Sequence, residues 1–172
     1  MKTLIKLVAV AVMLFCGLQI ANAQNSRGQR KAAKEAAVKK MVDEKNFVFK
    51  ADFANPQGGG RRSLNNDYDM VVSKDSIIAF LPYFGRAYIA PTNPTEGGIT
   101  FTSTKFDYNT ARNKNGNWDI LIKPKEGNGT DWRDVQALRL TITTSGYASL
   151  YVTSTNRSYI SFDGHVEERE KK

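Results

Sequence analysis

Residues 47–166 consist of short segments in which apolar and polar residues alternate, separated by residues typical of turns. In the first segment Phe47, Phe49, Ala51 and Phe53 occupy every second position. Successive side chains of a β-strand point to opposite faces, so this spacing predicts strands with one buried face. We expect about eight such strands, the first with these four residues on a common face.

Short turns rather than helices separate the predicted strands. Parallel strands need a crossover of a dozen or more residues, usually a helix, whereas tight turns join antiparallel strands. The sequence therefore predicts a mainly β protein, either an antiparallel barrel of the lipocalin-like kind or a sandwich. Within residues 99–108 the apolar face switches partway, which predicts a bulge in that strand.

The N-terminal residues have the pattern of a secretory signal peptide. Two lysines precede an apolar run over residues 7–16, and the Ala-Asn-Ala sequence at 21–23 matches a signal peptidase site. The apolar run is shorter than the roughly 20 residues that span a bilayer. We therefore expect cleavage after Ala23, export, and no stable membrane insertion of the mature chain.

The chain has one cysteine, Cys16, which lies inside the predicted signal peptide. The mature chain would therefore have no disulfide, no thiolate nucleophile and no sulfur ligand for a metal. The remaining length is sufficient for one domain with a sizeable core. We divide the chain into a signal peptide (1–23), a basic helix and linker (24–46), a single β domain (47–166) and a charged tail (167–172).

Half of the formal net charge of +8 lies in residues 24–46, and the rest of the predicted mature chain is nearly neutral. This distribution argues against a nucleic-acid partner. The segment is rich in Ala, Lys and Glu and predicts a helix. Its thin apolar stripe consists of Ala33, Ala37 and Met41, which recur every four residues, with Val38 and Val42 beside them. Such a helix could lie on anionic lipid, but a stripe without Leu, Phe or Trp favours a leader helix that packs loosely on the domain.

The most unusual local chemistry lies between the prolines at 82 and 91, where Tyr83, Phe84, Arg86 and Tyr88 surround Gly85. Tyrosine and arginine are enriched at recognition surfaces, so we name these four residues as a candidate binding site. The alternative interpretation is structural. A Pro and Gly kink would turn the chain at a barrel corner, with the rings in the core and Arg86 bound to a carbonyl or carboxylate.

Four motifs occur in order along the predicted domain: LPYFGRA at 81–87, GGITF at 97–101, GYASL at 146–150 and SYISFDG at 158–164. Together they resemble the family catalogued as domain of unknown function 4251, small exported proteins mostly of Bacteroidetes. The resemblance covers residues 47–166. It implies an exported, mainly β protein in the periplasm or on the surface of a Gram-negative bacterium, and it implies no reaction and no catalytic residue.

His165 is the only histidine of the chain, so neither a Ser-His-Asp arrangement nor a metal site of several histidines can form. We interpret it as an ordinary surface residue. Paired carboxylates, Asp67 with Asp69 or Asp131 with Asp134, are the remaining candidates for hydrolysis. Acidic residues are expected in polar turns in any case, so we predict no catalytic residue, no cofactor and no enzyme activity.

Two loops rich in Asn and Gly, residues 113–117 and 127–131, offer oxygen atoms that could bind calcium. Neither has the D-x-[DN]-x-[DN]-G spacing of an ion loop. Asn and Gly tolerate positive φ, so turn formation accounts for both loops without an ion. The glycine-rich sequence at 58–62 also lacks the phosphate-loop pattern, and we predict no metal site.

Three functions are compatible with these observations. The first is a non-enzymatic exported protein that binds a small apolar or amphipathic ligand inside its barrel. The alternative is an interaction module that contacts another envelope protein through a sheet face or edge. Hydrolysis by paired carboxylates is the third.

Overall fold

The computed structural model describes residues 27–65, 67–88, 97–128 and 134–169. The predicted signal peptide and the last three residues of the predicted tail lie outside these ranges. Helix α1 covers residues 27–44 of the described part. The strands described after it are β1 (Phe47–Pro56), β2 (Arg62–Ser63), β3 (Asp69–Val72), β4 (Ile77–Leu81), β5 (Ile99–Arg112), β6 (Trp118–Asn128), β7 (Val135–Ile142), β8 (Tyr147–Ser154) and β9 (Ile160–Glu168).

Eight of these strands form a closed antiparallel barrel. The order is β1-β3-β4-β5-β6-β7-β8-β9, and β9 pairs again with β1 to close the ring. The short strand β2 lies beside the ring and pairs with Phe53 and Ala54 of β1. The predicted mainly β fold is therefore confirmed, and of the two predicted architectures the barrel is the one observed.

Side chains from the barrel strands pack together in the barrel interior. An eight-stranded barrel is just wide enough for its own side chains or for one small ligand. Here inward-facing residues of all eight strands belong to one hydrophobic core. The largest fully buried side chains are Phe47, Phe49, Phe101, Phe162, Met70, Ile77, Leu81, Ile99, Ile122, Leu138, Leu140 and Ile142.

A bulge in β1 changes the face of its second half. The register with β9 shifts between Ala51 and Phe53, so Ala54 is buried whereas Phe53 is partly exposed on the outer face. The predicted common face of these phenylalanines is therefore wrong, because simple alternation does not reveal an inserted residue. Gly164 of β9 lies beside the bulge. A Cβ atom there would be 1.8 Å from the carbonyl oxygen of Lys50, so the close approach of the two strands requires glycine.

The bulge predicted within residues 99–108 is confirmed. The register between β5 and β6 shifts on both sides of Lys105. Before the shift, Phe101 and Ser103 are buried, and after it Phe106 and Tyr108 pack against the core. Because a bulge bends its strand, the long β5 can follow the wall of the barrel.

Helix α1 covers one end of the barrel, which we call the helix end. Val38 and Val42 are only 3% and 2% exposed and belong to the core. Val38 lies beside Gly146, in the turn between β7 and β8. The prediction of loose packing is therefore wrong, because the two valines are buried on the barrel. The predicted stripe is also wrong at Ala33 and Ala37, which are exposed because the helix turns its valines to the barrel. No helix in the described ranges is long and apolar enough to cross a membrane.

Charged side chains of α1 also find partners at the helix end. Arg112 of β5 donates to Glu35 Oε1 at 2.7 Å, and Lys45 Nζ lies 4.7 Å from the centre of the Tyr108 ring. The helix ends with Lys45 in the left-handed region at φ 50°, and the N–H of Asn46 donates to the Met41 carbonyl at 3.0 Å. This Schellman ending turns the chain directly into β1.

Strand β9 is longer than the sequence pattern predicts. Glu167 and Glu168 pair with Val48 and Phe47 of β1. The predicted charged tail therefore begins inside a strand. The alternation of apolar residues stops at these two charged residues, so the sequence pattern ends there. The strand continues because both glutamates are exposed to solvent.

Candidate functional site

The predicted site lies at the barrel end opposite α1, which we call the loop end. Strand β4 ends at Leu81, because Pro82 has no N–H with which to continue the strand pairing. The chain then reaches the loop between β8 and β9, where the N–H of Ser158 donates to the Arg86 carbonyl at 2.9 Å. Strand β4 and this loop are not neighbours in the ring, so the segment 82–88 spans the barrel end.

Tyr83 anchors this segment. Its hydroxyl oxygen lies 2.9 Å from both the carbonyl oxygen and Oγ of Ser158, and 3.0 Å from the Arg86 carbonyl oxygen. Its ring packs against the core, 5.4 Å from the Arg157 guanidinium. A Cβ atom on Gly85 would lie 2.3 Å from the Tyr83 hydroxyl, so glycine makes this packing possible. The structural interpretation of the sequence therefore applies to Tyr83.

Phe84 also packs against the core, but one face of its ring is covered by a charged group. The guanidinium of Arg62, from strand β2, lies 4.8 Å from the ring centre. Such a cation–π contact contributes about 0.5–1 kcal/mol at an exposed site. Sequence analysis missed Arg62, because nothing in the glycine-rich sequence before it indicates that β2 folds back beside residue 84.

Arg86 and Tyr88 lie outside the core. Tyr88 is 65% exposed, and Arg86 is also exposed. The guanidinium groups of Arg62 and Arg86 form no ion pair with any described residue. The hydrogen bonds of Arg86 to Tyr83 and Ser158 use its backbone, not its side chain. We call Arg62, Phe84, Arg86 and Tyr88 the loop-end surface. It combines two positive charges that have no ion-pair partner among the described residues with two aromatic rings.

The first carboxylate pair considered for hydrolysis is held by structural contacts. Asp69 accepts a hydrogen bond from Lys50 Nζ at 2.7 Å, which links β3 to β1. Asp67 accepts one from Asn65 Nδ2 at 2.8 Å. Each of the two carboxylates is thus bound to a neighbouring side chain, Lys50 or Asn65, in a structural contact.

The second pair is described only in part. Asp131 lies outside the described residues, as does most of the predicted loop 127–131. Asp134 is largely buried, and its Oδ2 lies 3.3 Å from Nε of Arg157. This ion pair connects the start of β7 to the loop between β8 and β9.

Residues 113–117 form the turn that their composition predicts. Asn113 Oδ1 accepts hydrogen bonds from the N–H groups of Asn115 at 3.0 Å and Asn117 at 3.1 Å. Gly116 has φ 79°. No cluster of three or more His, Cys, Asp or Glu residues in the described ranges is arranged to hold a metal ion.

His165 lies on the outer face of β9 between two carboxylates. Its Nδ1 is 3.0 Å from Asp52 Oδ2, and its Nε2 is 3.1 Å from Glu167 Oε1. Burial lowers the pKa of His165, but the hydrogen bonds and charges of the two acids outweigh burial and raise the pKa above its ordinary value. The contact with Glu167 could have been expected from the sequence, because Glu167 lies two residues away on the same strand face. The contact with Asp52 could not, because Asp52 lies on a different strand.

These features define a class of protein: a small antiparallel β-barrel of eight strands, covered at one end by a helix and at the other by a tyrosine-anchored segment. The chain belongs to the family described as domain of unknown function (DUF4251), whose model matches residues 29–166. The resemblance found in the sequence is thereby confirmed. The match also includes most of α1, consistent with the burial of that helix on the barrel.

A solved structure has a similar fold. The crystal structure of a DUF4251 family protein from Bacteroides eggerthii DSM 20697 at 1.95 Å resolution matches with a TM-score of 0.60, over 80% of this chain and 91% of that chain. The two sequences are 17% identical, so the likeness concerns the fold. None of the curated proteins matches this chain.

Proposed function

We propose that this protein is a non-enzymatic exported binding protein that contacts another protein of the cell envelope through the loop-end surface. One observation carries the proposal. Arg62 and Arg86 are exposed and lack ion-pair partners in the described structure, and the segment that carries Phe84 and Arg86 ends at the exposed Tyr88. Arginine and tyrosine supply a large share of the binding energy at protein interfaces.

The charge of the loop-end surface favours an acidic partner. A guanidinium group binds a carboxylate through two parallel hydrogen bonds, and this geometry is stronger than a single neutral hydrogen bond. The rings of Phe84 and Tyr88 would provide apolar contact area beside those charges. We therefore expect the partner to present a segment that combines acidic and apolar side chains.

The packing of the barrel supports an external site over an internal one. A ligand inside the barrel, the first function derived from the sequence, would have to displace buried rings such as Phe49, Phe101 and Phe162, each at most 2% exposed. Truncating one such ring typically lowers stability by about 3–5 kcal/mol. Displacing several would cost more than a small apolar ligand returns, so we assign recognition to the outer surface.

Export and the absence of catalysis are further parts of the proposal. Export rests on the signal-peptide pattern of residues 1–23. The absence of catalysis rests on the single histidine of the chain and on the cationic or amide partners of Asp67, Asp69 and Asp134.

Photocrosslinking in cells tests the proposal. A photoreactive phenylalanine analogue in place of Tyr88 should give a specific protein adduct, whereas the same group in place of exposed Lys40 at the helix end should not. Combining Arg62→Ala with Arg86→Ala should remove the Tyr88 adduct while thermal unfolding stays nearly unchanged. An adduct formed only from position 40, or one indifferent to both arginines, would contradict the proposal.

A further inference from the structure

A depression lies on the outer face of β6 and β7, away from the loop-end surface. Its volume is about 290 Å³, near the lower end of the range for small-molecule sites. The strand register places Asp119 opposite Thr141 and Leu121 opposite Arg139. On the next strand, Tyr151 lies opposite Arg139. The residues lining the depression are Asp119, Ile120, Leu121, Arg139, Leu140 and Thr141.

Arg139 provides an unpaired positive charge at this depression. Its side chain is exposed and makes no hydrogen bond or ion pair with any described residue. Asp119 lies diagonal to Arg139 on the neighbouring strand, and its carboxylate accepts hydrogen bonds from Thr141 Oγ1 at 2.9 Å and Asn113 Nδ2 at 3.2 Å instead. Diagonal neighbours are about 7–8 Å apart, so one small ligand can reach both residues.

A pair of stacked tyrosine rings begins on the other side of Arg139, where Tyr151 lies opposite it on β8. Tyr151 and Tyr159 stack with their centroids 5.1 Å apart and their planes inclined by 28°. Tyr159 is 41% exposed. Burial and the neighbouring Tyr159 raise the pKa of the Tyr151 hydroxyl, and the charge of Arg139 opposes this shift, so the three groups share one environment. The C–H groups of a sugar ring pack well on such an aromatic face, whose electron density is negative.

We propose that this face binds an acidic saccharide, with the ligand carboxylate on Arg139, a sugar ring against Tyr151, and ring hydroxyls donating to Asp119. The site has one cation, one carboxylate with spare acceptor positions, and hydroxyl groups. This set matches a ligand that carries one negative charge and several O–H donors. A polyphosphate or a nucleic-acid strand would bring several charges close to Asp119, which disfavours both.

The inference goes beyond the proposed function, because it concerns different residues and a different ligand class. Arg62 and Arg86 take no part in it, and Arg139 takes no part in the loop-end surface. Substitutions can therefore separate the two. Loss of saccharide binding in an Arg139 variant that still gives the Tyr88 adduct would show that the sites are independent.

Calorimetric titration with defined sugars tests the inference. The probes are the methyl glycoside of galacturonic acid, which carries one carboxylate, and the matching neutral methyl glycoside of galactose. We expect the acidic probe alone to bind, and Arg139→Gln to weaken it by roughly tenfold or more, as expected for loss of a charged hydrogen bond. Lys123→Gln removes one exposed positive charge from the same sheet face outside the depression, so it is the matched control and should leave binding unchanged.

Two further variants make the result decisive. Tyr151→Leu should weaken the acidic probe while keeping the charge of Arg139, and Arg139→Lys should retain part of the affinity that Arg139→Gln loses. The inference is overturned if neither sugar binds at millimolar concentration, if both bind equally, or if Lys123→Gln weakens binding as much as Arg139→Gln. Equal thermal unfolding of the variants and the parent protein confirms that each one folds.

Discussion

The two ends of the barrel are covered by different kinds of contact. At the helix end, Val38 and Val42 are buried in the core, and Glu35 pairs with Arg112. At the loop end the anchor is a hydroxyl group, that of Tyr83, bound to the backbone and side chain of Ser158. Apolar burial thus holds one end, and hydrogen bonds hold the other.

This difference separates stability from recognition. The two valines of α1 are used by packing, and none of the large apolar side chains of the described helix is exposed for insertion into lipid. The loop end keeps Arg86 and Tyr88 exposed after its anchor is in place. We therefore expect substitutions at the helix end to act on folding, and substitutions in the loop-end surface to act on binding.

The largest effect is expected at the helix end. Val42→Asp would bury a carboxylate that has no partner, and we expect the free energy of unfolding to fall by about 3 kcal/mol or more. Urea denaturation followed by circular dichroism measures this. The matched control is Ala37→Asp on the exposed face of α1, which should cost only the difference in helix propensity, about 0.5–0.7 kcal/mol. Equal losses in the two variants would show that α1 is not part of the core.

A smaller loss is expected from the anchor of the loop end. Tyr83→Phe keeps the ring but leaves its partners at Ser158 and Arg86 without the hydroxyl, which should lower the free energy of unfolding by about 1–3 kcal/mol. Tyr88→Phe removes a hydroxyl from an exposed ring and should have almost no effect. The same urea experiment compares them. If the two variants are equally stable, the Tyr83 hydroxyl does not anchor the segment.

The next effect depends on pH and concerns His165. Its pKa is higher in the folded protein than in the unfolded chain, so the protonated imidazole stabilises the fold below about pH 6.5, the ordinary value. That contribution should be lost as the pH rises through the raised pKa of the folded state. Thermal unfolding at a series of pH values should show this loss in the parent protein and a flatter profile in His165→Gln. An unchanged profile in the variant would refute a role for the contacts with Asp52 and Glu167.

The smallest effect on folding is expected in the loop-end surface. Arg86→Ala removes an exposed side chain that pairs with no described acidic residue, so the free energy of unfolding should change by no more than about 0.5 kcal/mol. The Tyr88 crosslink should nevertheless weaken. A variant that loses several times this stability would place Arg86 among the structural residues and would remove the contrast between the two ends.

The sequence predicted the fold well where the signal was local. Alternation identified most barrel strands, and the face switch before Phe106 correctly predicted the bulge in β5. It did not predict the bulge in β1, because Phe53 continues the apolar alternation of that strand although Arg61, 3.9 Å from its ring centre, covers it on the outside. Nor did the sequence predict the burial of α1. A thin stripe of Ala, Val and Met is too weak a signal by itself, and the barrel surface on which it packs becomes known only from the fold.

The candidate site was predicted in part for the same reason. Unusual residue types pointed to the segment 82–88, but only the fold separates the partly buried anchor Tyr83 from the exposed Arg86. The contribution of Arg62 depends on a contact between segments distant in the sequence, which has no local signature. Arg139 and Tyr151 lie on consecutive strands joined by a short turn, but their juxtaposition depends on the exact register of that hairpin.

Native mass spectrometry of the protein isolated from its own cell envelope tests most directly whether side chains, and not a ligand, fill the barrel. We expect the folded protein to have the mass of its chain, alone or with a partner protein, and to release no small apolar molecule on denaturation. A stoichiometric apolar molecule that stays bound in the folded state and is released only by unfolding would contradict this account and support a carrier.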